Sequence, residues 1–173
     1  NVYGLDTISA GSTIAFAYQL YQQGSITSKD TGGLELTWGS SEPAIQLTEQ
    51  IARRQGFGDL LAEGALALGQ RYGVPELAVQ VNGLEVPMHD PRAYVGMGLV
   101  YATSPRGACH NQGDMFRVDL GAPVPELDIQ LGDRLESSEE KALMTSRDMD
   151  WRTLYNSLVM CVFCNPPATL VRD

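Results

Sequence analysis

Glycine and proline cut this chain into short helical stretches, and that punctuation restricts the fold more than any other feature. Ile14, Ala17, Tyr18 and Tyr21 keep helical spacing ahead of Gly24, so a helix is expected over about residues 7–23. Ser41-Glu42-Pro43 opens a second helix, with Ala44, Leu47, Thr48 and Ile51 on one face and Gly56 as its stop. Leu61, Ala65, Leu68 and Tyr72 form the stripe of a third, ended by Gly73. The strongest β signal is Ala78–Val81 and Leu84–Val86 around Asn82-Gly83, a pair suited to a two-residue hairpin turn. Asp90-Pro91 marks a further helix start, because aspartate can cap a first turn and proline is tolerated there; Ser104-Pro105 breaks that helix. A last helical pattern runs from about Ser138 to Cys164, with a break expected near Thr145–Asp150 and a stop at Pro166-Pro167. The fold class is therefore mainly α, helical and bundle-like, with one small β-hairpin. Prolines and glycines between Gly113 and Gly132 indicate an irregular connection. They divide the chain into a helical segment with the hairpin (1–112), the connection (113–132) and the start of a second helical segment (133–173).

With 173 residues, 43% of them hydrophobic, the chain can bury a core in one domain or two small ones. A net charge of −9 and the lack of a basic cluster argue against nucleic acid and anionic membranes as partners. No run of about 18 apolar residues reads as a membrane span. Three cysteines do not form a secreted disulfide framework, so a reducing, cytoplasmic compartment is expected. The chain opens on Asn1 rather than methionine, inside an apparent motif, as a fragment of a longer protein would.

Chemistry-bearing residues concentrate between His89 and His110, which holds both histidines, a glycine-dense apolar run and the terminus Arg106-Gly107-Ala108-Cys109-His110. Gly96 and Gly98 weaken a helix by roughly 1 kcal/mol each, so a close approach of backbone or ligand would account for them. His110 is the candidate for proton transfer, since imidazole titrates near neutral pH; a purely structural histidine is the other reading. His89, just before Asp90-Pro91, is expected to fix a turn. Arg106 suits a phosphate or carboxylate, or a structural ion pair. At the amino end, Asp6, Thr7 or Ser9 can cap the first helix, whose free N–H groups could also face an anion. Trp151, Leu154, Leu158 and Cys161 share one helical face, which directs Cys161 inward. Cys161 and Cys164 lack the companion ligands of a zinc site and the βαβ context of a thiol-redox site. Asp59, Glu63, Asp148 and Asp150 are expected on solvated surface.

The stretch from Leu84 to His110 closely resembles the tungsten- and molybdenum-dependent aldehyde ferredoxin oxidoreductases, and the resemblance extends from Asn1 through Cys164. It implies the helical carboxyl-terminal domains of that family, without the amino-terminal pterin-binding domain of the same chain. Gly4-Leu5-Asp6, with Asn1 where the family often has aspartate, matches a loop of the form Asp-x-x-Gly-Leu-Asp that contacts one of two pterins. A second loop, Asp-x-x-Gly-Leu-Cys, aligns with Asn156-Ser157-Leu158-Val159-Met160-Cys161. Asn156, Val159 and Met160 would face the second pterin, and Cys161 would ligate a [4Fe–4S] cluster whose other three cysteines lie upstream. Val159 stands where the family has glycine, and a β-branched residue resists positive φ. His110 occupies the position of an active-site histidine. Phe57–Gly64 also recurs in the family and is assigned to packing. The implied reaction oxidises an aldehyde with water to a carboxylic acid and passes two electrons through the cluster to ferredoxin; a homo-oligomer is compatible with it. The alternative is a catalytically silent helical scaffold or assembly subunit of the same fold, suggested by Asn156, Val159 and Met160. A zinc or thiol-redox module using Cys161 and Cys164 is a third reading.

Overall fold

The computed structural model describes residues 2–161 and 163. The chain forms two compact units, Asn1–Pro87 and Met88–Asp173, so the division falls at Pro87–Met88 rather than in the 113–132 stretch. Among the described residues the elements are helical except for one two-stranded antiparallel sheet.

In the first unit, α1 (Thr7–Gln22) packs on α2 (Glu42–Arg53), α3 (Gly56–Leu61) and α4 (Ala65–Tyr72). Leu20, Leu47 and Leu68 are fully buried between them, each worth roughly 1.5–3 kcal/mol of apolar burial. Two helix ends differ from the sequence pattern. Arg54, not Gly56, ends α2 in a left-handed conformation, its guanidinium held by the Asp59 and Glu63 carboxylates. Gly56 instead opens α3, and the expected third helix is split there: Gly64, at φ +91°, turns the chain between Leu61 and Ala65. The apolar stripe survives the split because Leu61, Ala65 and Leu68 all reach the same core. Gly58 is required by contact, since a Cβ there would lie 2.3 Å from the Gln50 Cβ on α2.

The hairpin forms as expected, β1 (Gln80–Val81) pairing with β2 (Leu84–Glu85) in the register Gln80↔Glu85 and Val81↔Leu84. Asn82 and Gly83 both take positive φ, the requirement of a type I′ turn. Its structural consequence is the placement of Glu85. This buried carboxylate accepts the Ala65 N–H at 2.7 Å and the Thr13 hydroxyl at 3.1 Å, capping α4 and tying it to α1. A helix amino terminus stabilises negative charge, and the two donors offset the cost of burying it.

The second unit is built around α7 (Glu139–Ser157), which packs on α5 (Val95–Thr103); α5 in turn contacts α6 (Met115–Asp119). Three expectations need correction. Asp90-Pro91 does not begin the helix: Asp90 accepts the Arg92 N–H at 2.8 Å and pairs with its guanidinium, forming a turn, and α5 starts at Val95. The 113–132 stretch is not wholly irregular, because it contains α6, a 3₁₀ turn at Pro125–Leu127 and a Val124–Ile129 bridge. Finally, α7 has no break near Thr145–Asp150, since Thr145 and Asp148 are both buried along one continuous helix, and it ends at Ser157 rather than Cys164. Gly96 does meet a close approach, but of a side chain rather than of backbone or ligand: a Cβ there would come within 2.8 Å of the Met115 Cβ.

Replacing Glu85 by alanine should cost about 2–3 kcal/mol, because it strands the Ala65 N–H and the Thr13 hydroxyl in the interior. Glu85→Gln, which keeps an acceptor, should lose less. Urea-unfolding midpoints decide this; equal effects of the two substitutions would show that acceptance at Ala65 is not what Glu85 contributes.

Candidate functional site

At the amino end, Gly4 takes φ +70°, and Asp6 caps α1 by accepting the Ile8 and Ser9 N–H groups, each at 2.9 Å. The carboxylate thereby occupies two first-turn donors that a bound anion would otherwise use. Leu5 and Asp6 line an open cleft of about 160 Å³ with Ser9, Thr13, Leu61 and Gly64. Asn1 lies outside the described residues.

In the second unit, His110 begins a 3₁₀ turn, His110–Gln112, that packs between α5 and α7. Its ring meets that of His89 at 5.4 Å between centroids, and His89 in turn stacks on Phe116 at 3.8 Å. The His89 carbonyl accepts the Tyr101 hydroxyl at 2.9 Å, which agrees with a turn-fixing role for the residue. Burial holds the His89 imidazole below its ordinary pKa, the nearby His110 pushes the same way, and Asp114 opposes both. Arg106 is exposed, and Cys109 is a buried free thiol.

Behind this pair lies a buried charge cluster that the sequence reading missed. Asp148 belongs to it and is not on solvated surface. Its Oδ2 accepts the Asp114 N–H, and the Asp114 carboxylate pairs with Arg152 on the same face of α7 and with Arg117 at 3.5 Å. Gly113 fits between the layers only as glycine, since a Cβ would lie 2.7 Å from Val100 and 3.0 Å from the Asp148 carboxylate. About two turns nearer the amino end of α7, Lys141 forms an enclosed ion pair with Asp119 at 2.6 Å. The i, i+4 spacing of Asp148 and Arg152 was a legible signal, but nothing local announces that their partner is Asp114. Desolvation raises Asp148 to about 6 against the lowering effects of the Asp114 N–H and Arg152.

At the carboxyl end, the Met160 N–H bonds the Tyr155 carbonyl at 3.0 Å and the Val159 N–H the Asn156 carbonyl at 3.2 Å, the two bonds of a Schellman cap. Val159 sits at the position usually given to glycine and, contrary to the resistance expected of valine, takes φ +57°. Its side chain is 92% exposed. Cys161 lies beyond the helix and is exposed, which corrects its expected inward placement. Cys164 falls outside the described residues. His110 and Asn156 are not brought together along α7: the His110 segment meets the helix at Asp148, about 12 Å before Asn156. Among the described residues no three His, Cys, Asp or Glu side chains converge to form a metal site. The exposed Cys161 thiol has the chemistry of an iron ligand, so the residues present are compatible with a cluster completed by other cysteines.

Comparison with known proteins identifies the family. The family described as "Aldehyde ferredoxin oxidoreductase, domains 2 & 3" matches residues 1–172. The tungsten-containing aldehyde ferredoxin oxidoreductase of Pyrococcus furiosus is 41% identical over 162 residues, covering 92% of this chain and 26% of that protein. Its counterpart in Thermococcus kodakarensis is 38% identical over 163 residues, 93% of this chain and 26% of that protein. A P. furiosus protein named aliphatic sulfonate oxidoreductase, WOR-like subunit, is 36% identical over 115 residues, 62% of this chain and 18% of that protein. The chain belongs to the aldehyde ferredoxin oxidoreductase family. It spans about a quarter of the length of the tungsten-containing relatives it matches.

Two measurements follow from this geometry. Val159→Gly should relieve a left-handed valine and stabilise the end of α7 by about 1 kcal/mol, read as slower amide hydrogen exchange at Met160; unchanged or faster exchange would deny the strain. Asp148 binds its proton more tightly in the folded than in the unfolded chain, so its stabilisation is complete below about pH 4 and is lost as pH rises through 6. The Asp148→Asn variant lacks that loss and should gain about 2–3 kcal/mol on the parent between pH 4 and 7. Parallel stability profiles for the two proteins would refute the assignment.

Proposed function

We propose that this chain is part of a cytoplasmic tungsten- or molybdenum-pterin oxidoreductase that oxidises aldehydes to carboxylic acids and sends electrons through a [4Fe–4S] cluster to ferredoxin. The observation that carries the reading is one left-handed residue at the matching position of the two aligned motifs. The fourth residue of each, Gly4 and Val159, takes positive φ (+70° and +57°), although only the first is glycine. The departure at Val159 thus leaves a left-handed turn in place, which weakens the case for a silent scaffold. No described helix is long and apolar enough to cross a membrane.

In this reading Asn1, Gly4, Leu5 and Asp6 hold one pterin, Asn156, Val159 and Met160 the second, and the Cys161 thiolate ligates iron. An amino-terminal domain of the same chain supplies the remaining contacts and three further cysteines. The pterin-held metal supplies the two-electron oxidation, and the cluster supplies the onward electron path. His110 takes a proton from water at the site, the task for which a neutral imidazole is suited. The Asp114–Asp148 contact holds its segment against α7, so the ring is presented from a fixed backbone. One relative is named for an aliphatic sulfonate, which makes the organic substrate the part of the reading most open to change.

Elemental analysis of the intact protein, purified without oxygen, tests the class. Tungsten or molybdenum with about four irons per chain is expected. Iron without either metal would exclude the pterin site, no cluster iron would favour the scaffold, and stoichiometric zinc would favour the Cys161–Cys164 pair. In the loaded protein, His110→Asn should lower turnover about a hundredfold or more with metal content unchanged; full activity across the pH range would leave His110 structural.

A further inference from the structure

Asn82-Gly83 makes the hairpin turn of the first unit, and its chemistry plays no part in the reaction above. Of the asparagines in this chain, only Asn82 is followed by glycine. That order matters. The main-chain nitrogen after an asparagine is one ring closure from the side-chain amide carbon, and glycine, lacking a Cβ, leaves that nitrogen open to approach. Asn82 and Gly83 are both exposed, so water reaches them.

Two features of the fold oppose the closure. The five-membered ring forms only when the Gly83 nitrogen eclipses the Asn82 Cβ about the Asn82 Cα–C bond. Asn82 has φ +53° and Gly83 φ +83°, as in a type I′ turn. The first central residue of such a turn has ψ of about 30°, which sets the following nitrogen nearly opposite Cβ. The second feature is a hydrogen bond. The Gly83 N–H donates to Gln80 Oε1 at 2.7 Å. The nitrogen attacks only after losing that proton, and donation to a neutral amide oxygen favours keeping it. Gln80 pairs with Glu85 across the strands, so its backbone is fixed by the ladder.

We propose that Asn82 is a deamidation site of this protein, guarded in the folded chain by the turn and by the Gln80 side chain. When the hairpin opens, the Gly83 nitrogen gives its proton to a solvent base and bonds to Asn82 Cγ. The Cγ–Nδ2 bond breaks, and ammonia leaves with a proton from solvent. Water then opens the cyclic imide at either carbonyl, giving aspartate or isoaspartate. Nothing is oxidised or reduced: one water enters and one ammonia departs. The isoaspartyl main chain runs through Cβ and Cγ and is one carbon longer, so two residues no longer close the Val81–Leu84 pair. The Gln80↔Glu85 register goes with it, and the Glu85 carboxylate leaves the Ala65 N–H and the Thr13 hydroxyl. A change at an exposed turn thereby uncaps α4.

The chemistry needs neither pterin nor cluster, and its test is made on the intact protein. Samples are held folded or in guanidinium chloride at one pH and temperature. Peptide mass mapping with an isoaspartate-specific methyltransferase then follows Asn82, Asn111 and Asn156. In the unfolded chain Asn82 should convert fastest of the three, and folding should slow it about tenfold or more. Gln80→Met, which keeps the length but removes the oxygen, should raise the folded rate about fivefold. Amide exchange at Val86, whose N–H bonds the Val79 carbonyl beside the ladder, should stay at the parent rate in that variant. Faster conversion at Asn111 or Asn156 in the unfolded chain, or equal conversion of Asn82 folded and unfolded, overturns the proposal. An unchanged rate in Gln80→Met overturns the guarding role of Gln80, as does a rise matched by faster Val86 exchange, which marks a loosened hairpin. Gln80→Ala decides the same point should Gln80→Met not fold. The purified isoaspartyl form should exchange its Ala65 amide faster than the parent, and equal exchange overturns the link to Glu85.

Discussion

The second unit depends on charge buried along one face of α7. Lys141, Asp148 and Arg152 each reach back to the 110–119 segment, through Asp119, the Asp114 N–H and the Asp114 carboxylate. An isolated charge in the interior would cost several kcal/mol, so each of these groups is tolerable only with its partner in place. That requirement makes the arrangement selective. If the segment slid by one residue, Asp114 would leave Asp148 and Arg152, Gly113 would leave the gap between Val100 and Asp148, and His110 would leave His89.

This selectivity explains how a short 3₁₀ turn can present a histidine reproducibly. A three-residue 3₁₀ turn has little stability of its own, because it closes few hydrogen bonds and those have poorer geometry than in an α-helix. Its position is imposed from α5 on one side and α7 on the other. The first unit solves the same problem differently. There a single buried carboxylate, Glu85, joins the hairpin to α4 and α1, so that a sheet of only four residues becomes part of the helical core.

The ends of the elements show how backbone preference and tertiary demand compete. Arg54 and Val159 both accept left-handed conformations that glycine would occupy more readily. Arg54 is compensated by two carboxylates, whereas Val159 is exposed and held by two capping hydrogen bonds.

Much of the plan was legible in the residues. Helical spacing from Ile14 to Tyr21, the Asn82-Gly83 turn and the glycine after Tyr72 are local signals, and they produced α1, the hairpin and the end of α4 within a residue or two. His110 and the Gly4–Asp6 loop were singled out through residue type and resemblance; the fold sets His110 beside His89 and gives Gly4 a positive φ. Other features were not local. The Leu61–Tyr72 stripe reads as one helix because periodicity ignores a glycine at φ +91°, and Asp90-Pro91 reads as a helix start because a cap and an Asx turn begin with the same side chain. Asp148 reads as surface because it lies among charged residues; Arg152 is one helical turn on, but only the fold brings Asp114 to it. The sequence by itself determined where helices and turns are possible, since those depend on near neighbours. Tertiary structure decided which charges are buried and which histidines meet, since those depend on partners tens of residues away.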